Sequence, residues 1–257
     1  IAHHYDCIRQ TDDEVGKIVD ALKKEGLYDN TIIFFWTDHG MKLPRHKQWL
    51  YDGGIRVPLL VAGLGIKKGK VRKDLVSGID ISAATLALGG IEIPKWMEGK
   101  DMLAKDFERD YVVSARDRCD YTIERVRAVT TERFKYIRNF LTDRPFMQPH
   151  YRDGSSYIED LRKHYKSGKM NETQSFIWAE TRVPEELYDL KNDPDEINNL
   201  ANNPKYAKEL DKHRKILENW IKETDDKGQY PESDEALRGA LKQWSEKAVN
   251  PEYNRVR

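Results

Sequence analysis

Long apolar runs are missing from this 257-residue chain. None approaches the roughly 20 residues that cross a bilayer, so no membrane-spanning helix is expected. The opening IAHHYDCIRQ has no basic start followed by an apolar core, so no signal-peptide pattern is visible. It also lacks an initiator methionine and starts directly in a helical pattern; the chain is therefore expected to begin inside a larger protein. Charge of one sign is lacking too, since 44 Lys and Arg balance 44 Asp and Glu. That balance argues against a protein held to nucleic acid by counterion release, and leaves room only for a local basic patch. Cys7 and Cys119 have no metal-ligand spacing and read as structural thiols. There is no internal repeat, no low-complexity tract and no G-x-x-x-x-G-K-[ST] phosphate loop. With 39% hydrophobic residues, the chain still has enough to bury a sizeable core.

The most informative stretch is 31–62, TIIFFWTDHGMKLPRHKQWLYDGGIRVPLLVA. Its unbroken apolar run Ile32–Trp36 reads as a strand buried on both faces, the mark of a parallel sheet under helices. The run stops at Thr37-Asp38-His39-Gly40, which puts a carboxylate and an imidazole at the carboxyl edge where open α/β sheets bind ligands. A basic loop follows (Lys42, Arg45, His46, Lys47), then Gly53-Gly54 and a second apolar run over 57–62.

Around this stretch the periodicity predicts further elements. A helix over 5–25 carries Ile8, Val15, Ile18, Val19 and Leu22 on one stripe and stops at Gly26. A short helix falls over 76–90 and a strand over 111–115. The segments 125–130 and 133–138 form an antiparallel pair joined through Thr131-Glu132. Residues 141–184 are irregular and rich in tyrosine, with one helix near 156–165; so many aromatic side chains are expected to lie across a surface and shape a pocket. A strand over 186–190 precedes two amphipathic helices, the first begun by Asn203-Pro204 and the second by Ser233. His213 lies on the inward stripe of the first and reads as a packed core histidine.

Asp38 offers a hard anionic oxygen suited to a divalent cation. His39 adds a neutral nitrogen better matched to zinc. Lys47 is a mobile point charge of the kind that holds an oxyanion or assists a leaving group. The same D-H-G also suits a structural turn in which Asp38 caps the backbone.

These residues carry a family resemblance. DNTIIFFWTDHG followed by HKQWLYDGGIRVPLLV resembles the sulfatase branch of the alkaline-phosphatase-like superfamily, and ELYDLKNDPDEINNLA resembles that family's C-terminal signature. The resemblance implies an α/β fold: a sandwich of a mostly parallel sheet between helices over 1–115, with a smaller C-terminal α+β subdomain over 116–257 that carries a short antiparallel sheet. It implies calcium bound through Asp38 and His39, Lys47 as the catalytic contact to sulfate, and His46, Arg116 and Arg118 as substrate contacts. Arg116 and Arg118 also suit plain ion pairing with Asp117 and Asp120, and Arg56 is expected to brace the loop.

The implied activity is removal of sulfate from a sulfated polysaccharide or glycosaminoglycan, in a periplasmic or secreted protein. The family's formylglycine comes from C/S-x-P/A-x-R, and no residue of this sequence fits that pattern. The nucleophile is therefore expected in a missing N-terminal half, without which the chain is inactive. Rival readings are a zinc phosphodiesterase or phosphotransferase of the same superfamily and a non-catalytic glycan-binding relative.

Overall fold

The computed structural model describes residues 2–257. It divides into two compact units. One comprises the chain up to Asp38 together with Val57–Lys73, and the other comprises His39–Arg56 with Asp74–Arg257.

In the first unit, helix α1 (Ala2–Lys24) ends with Lys23 and Lys24 against its negative pole. Gly26, at φ 70°, takes the left-handed turn that stops it. A single turn at Tyr28–Asn30 leads into strand β1 (Ile32–Trp36), which pairs with β2 (Leu59–Gly63) so that Ile32 lies opposite Gly63 and Trp36 opposite Leu59. Among the described residues of this unit none is buried. Ile8, Ile18, Trp36 and Leu60 all stand exposed.

The mostly parallel sheet expected over 1–115 is not formed. The described residues make two sheets, and every strand pair in both is antiparallel. Parallel neighbours need a crossover of a dozen or more residues, usually a helix. The connection from β1 to β2 holds only the four-residue helix α2 (Asp52–Ile55), and β2 returns alongside β1 in the opposite direction. An uninterrupted apolar run shows that both faces of a strand favour burial; it does not carry strand direction.

The second unit holds the core. Helix α3 (Gly78–Leu88) opens with a capping box between Ser77 and Asp80, and the fully buried Asp80 also accepts from Lys100 N and pairs with Arg109. The four-stranded meander β3 (Val112–Arg116), β4 (Val126–Thr130), β5 (Phe134–Asn139) and β6 (Glu185–Asp189) follows, with Ala128 opposite Ile137 and Tyr136 opposite Leu187.

Both faces of this sheet are covered. On one, Val129, Tyr136 and Leu187 pack with Leu210 and Leu217 of α6 (Ala207–Thr224). On the other, Val126, Ala128, Ile137 and Tyr188 meet Trp49, Leu50 and Tyr51, together with Phe146, Trp178 and Ile158 of α4 (Ser156–Lys166). The irregular 141–184 segment, which also contains α5 (Glu172–Ser175), thus lies across a sheet face, as its aromatic content predicts. Ser233 Oγ caps α7 (Asp234–Trp244), which places Leu237 against Tyr121, Ile123 and Tyr253. His213 is fully buried on α6, as expected. Among the described residues no helix is long and apolar enough to cross a membrane.

Candidate functional site

The loop 39–56 is held by its own backbone. Gly40 N donates to Gly54 O at 3.0 Å, Lys47 N to Met41 O at 3.0 Å, and Trp49 N to His46 O at 2.9 Å. Arg45 (φ 63°) and Gln48 (φ 75°) turn the chain in the left-handed region on either side of His46-Lys47. The glycine pair has a steric reason: a Cβ on Gly54 would sit 2.2 Å from Trp49 O and 2.3 Å from His46 O. His46 Nδ1 lies 2.9 Å from Gly53 O, so the ring donates there and braces the turn. His39 does the same locally, with Nδ1 2.8 Å from Gly40 O.

Buried polar groups fasten the loop to the sheet unit. The Arg45 guanidinium stacks 4.2 Å from the Tyr51 ring centroid and donates to the carbonyls of Asp195 (2.9 Å) and Glu196 (2.6 Å). Beneath it, the fully buried Lys135 ammonium sits between Asp52 (2.5 Å) and Glu196 (2.8 Å), while Asp52 N donates to Glu196 at 2.6 Å. Burial raises the Glu196 carboxyl pKa, against the pull of Lys135. Tyr51 OH donates to Glu186 at 2.7 Å, and burial followed by that carboxylate raises the phenol well above its usual range.

Lys47 emerges from this anchored loop half-buried. Among the described residues it forms no ion pair, and its ammonium stands 5.8 Å from the Tyr151 ring centroid. Arg152 supports it from behind, donating through Nη2 to Lys47 O at 3.2 Å and to Gln48 Oε1 at 3.1 Å. Gln48 in turn donates to Cys119 Sγ.

The predicted site residues therefore divide. His39, His46 and Lys47 share the second unit, whereas exposed Asp38 closes the first segment of the other. Arg116 lines a cavity of about 20 Å³ with Gln48, Glu124 and Arg182, room for about one water molecule and not for a sugar. Burial lowers its pKa. Arg118 is engaged by both oxygens of Glu232 (2.9 and 3.1 Å) and by Asp120 O at 2.7 Å. Arg56 reaches Asp52 at 3.4 Å, the bracing contact expected of it.

Sequence reasoning missed the Lys135–Asp52–Glu196 triad and the His150-Tyr151-Arg152 segment. For the second there was a signal: basic and aromatic residues interleaved in an irregular stretch. A calcium shell takes about six to eight oxygens. Among the described residues no three His, Cys, Asp or Glu side chains gather as a metal-holding group. The residues present do not by themselves make up a calcium site.

Residues 1–91 match the sulfatase family model. The chain is 36% identical over 234 residues to an ulvan-active sulfatase of Formosa agariphila, covering 90% of this chain and 39% of that protein. An arylsulfatase of Clostridium perfringens is 28% identical over 248 residues, covering 93% and 43% respectively. Among solved structures, a 2-O GAG sulfatase aligns with a TM-score of 0.62 at 26% identity, covering 84% of this chain and 41% of that one. Over residues 1–91 the chain matches the sulfatase family, and over most of its length it is similar to members of the sulfatase/alkaline-phosphatase-like superfamily. The chain spans about two fifths of the length of the curated relatives it matches.

Proposed function

We propose that this chain supplies the Lys47 loop of a sulfatase that removes sulfate from a sulfated carbohydrate, a polysaccharide or glycosaminoglycan. One observation carries the reading: an ammonium without a carboxylate partner among the described residues, on a loop pinned by Arg45, Arg152 and the Lys135 triad, in a G-G-x-R-x-P sequence context that resembles the family's. A sulfate ester is anionic, and charge grows on the leaving oxygen as the S–O bond breaks. A fixed ammonium beside that oxygen stabilises the change without reorganising at the moment of reaction. His46, with its proton committed to Gly53 O, keeps Nε2 as an acceptor for a sugar hydroxyl.

Calcium at Asp38 and His39 follows from the family resemblance alone, and the residues present do not complete its shell. The formylglycine nucleophile is assigned to sequence beyond residues 1–257, because no C/S-x-P/A-x-R occurs among them. Export to the periplasm or medium belongs to the same proposal.

The test is release of inorganic sulfate from sulfated polysaccharides by the protein that carries this chain. Lys47→Ala is expected to lower kcat by about 10²–10³ with the melting temperature unchanged. Unchanged turnover in Lys47→Ala overturns the role of Lys47. Glycan binding with no sulfate release from any substrate favours a non-catalytic glycan-binding protein.

A further inference from the structure

We propose that His150, Tyr151 and Arg152 form a second oxyanion subsite beside Lys47, taking a carboxylate or an additional sulfate on the sugar; this deepens the sulfatase reading and rests on it. The turn is well ordered by its own bonds. Asp153 N donates to His150 O at 2.9 Å, His150 N to Asp153 Oδ2 at 3.2 Å, and Ser155 N to Arg152 O at 3.0 Å. Yet its strongest donors are not consumed. Arg152 is 1% exposed, and while Nη2 serves Lys47 and Gln48, Nε and Nη1 have no hydrogen-bond partner among the described residues.

His150 is 5% exposed, and neither of its ring nitrogens has a hydrogen-bond partner among the described residues, so the neutral ring can present an N–H through Nε2. Its Nδ1 stands 3.2 Å from Asp153, which pairs with Arg162 at 2.8 Å. Buried guanidinium and imidazole donors left unpaired are costly, so a site that keeps them is one in which an acceptor completes them. The acceptor suited to a guanidinium and an imidazole N–H at once is an oxyanion. Tyr151, 38% exposed, ties the set together: its ring centroid lies 5.8 Å from the Lys47 ammonium, 5.8 Å from the Arg152 guanidinium and 6.3 Å from the His150 ring. A sugar seated on that ring would present one anionic group to Lys47 and another to Arg152 and His150.

The experiment titrates the protein separately with D-glucuronate and with inorganic sulfate, following affinity and the imidazole nitrogen signals of His150, and needs no turnover. At least one of the two is expected to shift the His150 signals, and Arg152→Gln and His150→Gln are each expected to weaken that ligand about ten-fold or more. A response to glucuronate alone assigns the subsite to a carboxylate, and a response to sulfate alone assigns it to a second sulfate. Silent His150 signals with both ligands in the unmutated protein overturn the subsite, and this readout survives if either variant fails to fold. Binding lost on mutation, with no sulfate release from any substrate by the protein that carries this chain, removes the sulfatase reading and keeps the oxyanion site. Activity on a substrate with two anionic groups whose KM is unmoved by Arg152→Gln does the reverse.

Discussion

Trp36 and Trp49 stand on either side of the D-H-G turn, yet Trp36 is 48% exposed and Trp49 only 6%. The first ends β1 in a unit with no buried residue among those described; the second plugs the loop into a sheet whose faces are covered by α6 on one side and by the 141–184 segment on the other. Both are large aromatic residues at the edge of an apolar run. The contrast teaches that apolar patterning states which side chains favour burial, while cover comes only from elements able to reach them. The loop bearing Lys47 belongs to the covered unit, which is why Lys135 and Glu196 among its polar anchors are buried.

The sharpest way to break this comparison is native-state hydrogen exchange. Amides of β4 and β5 are expected to be protected roughly a thousand-fold or more beyond those of α1 and β1, because local opening in the first unit exposes little that was buried. Equal protection would show that the first unit is covered in solution.

Next is the triad. Lys135→Met leaves Asp52 and Glu196 facing each other without their ammonium, and should cost about 3–5 kcal/mol in urea denaturation of the second unit. Leu217→Ala, at a fully buried position, should cost about 2–5 kcal/mol, whereas Ile18→Ala on α1, where Ile18 is 63% exposed, should stay within about 0.5 kcal/mol.

The smallest effect is in pH. His213 Nδ1 donates to Glu209 O at 2.8 Å and Nε2 lies 3.1 Å from Thr131 Oγ1, so the ring is buried neutral. Burial lowers its pKa, against the pull of Glu209. The unfolded chain therefore binds the proton more readily, and this contribution is complete above about pH 6.5 and is lost as pH falls through the lower folded value. The expected slope is at most about 1.4 kcal/mol per pH unit. His213→Gln should flatten the denaturation midpoint over that window.

Much of the chain was legible because its signals are local. The amphipathic stripes of α1, α6 and α7, the hairpin at Thr131-Glu132 and the stop at Gly26 each follow from residues within a few positions of one another. The parallel sheet was misjudged because direction depends on which strand the connection can reach. In the loop, the Gly53-Gly54 turn was readable locally, whereas the enclosure of Arg116 and the pairing of Arg118 with Glu232 required contacts between distant segments, more than a hundred residues apart in the second case.

By itself the sequence determined the order of helices and strands, the D-H-G to G-G-I-R-V-P loop with its lysine, and the superfamily these residues resemble. All of these are properties of short segments and their side-chain chemistry. Only the tertiary structure decided that both sheets run antiparallel, that Lys135 and Glu196 hold the loop, and that Arg152 stands behind Lys47 with donors to spare. Burial, pairing and unmet hydrogen bonds depend on distant segments meeting in space, and no local pattern encodes which of them will.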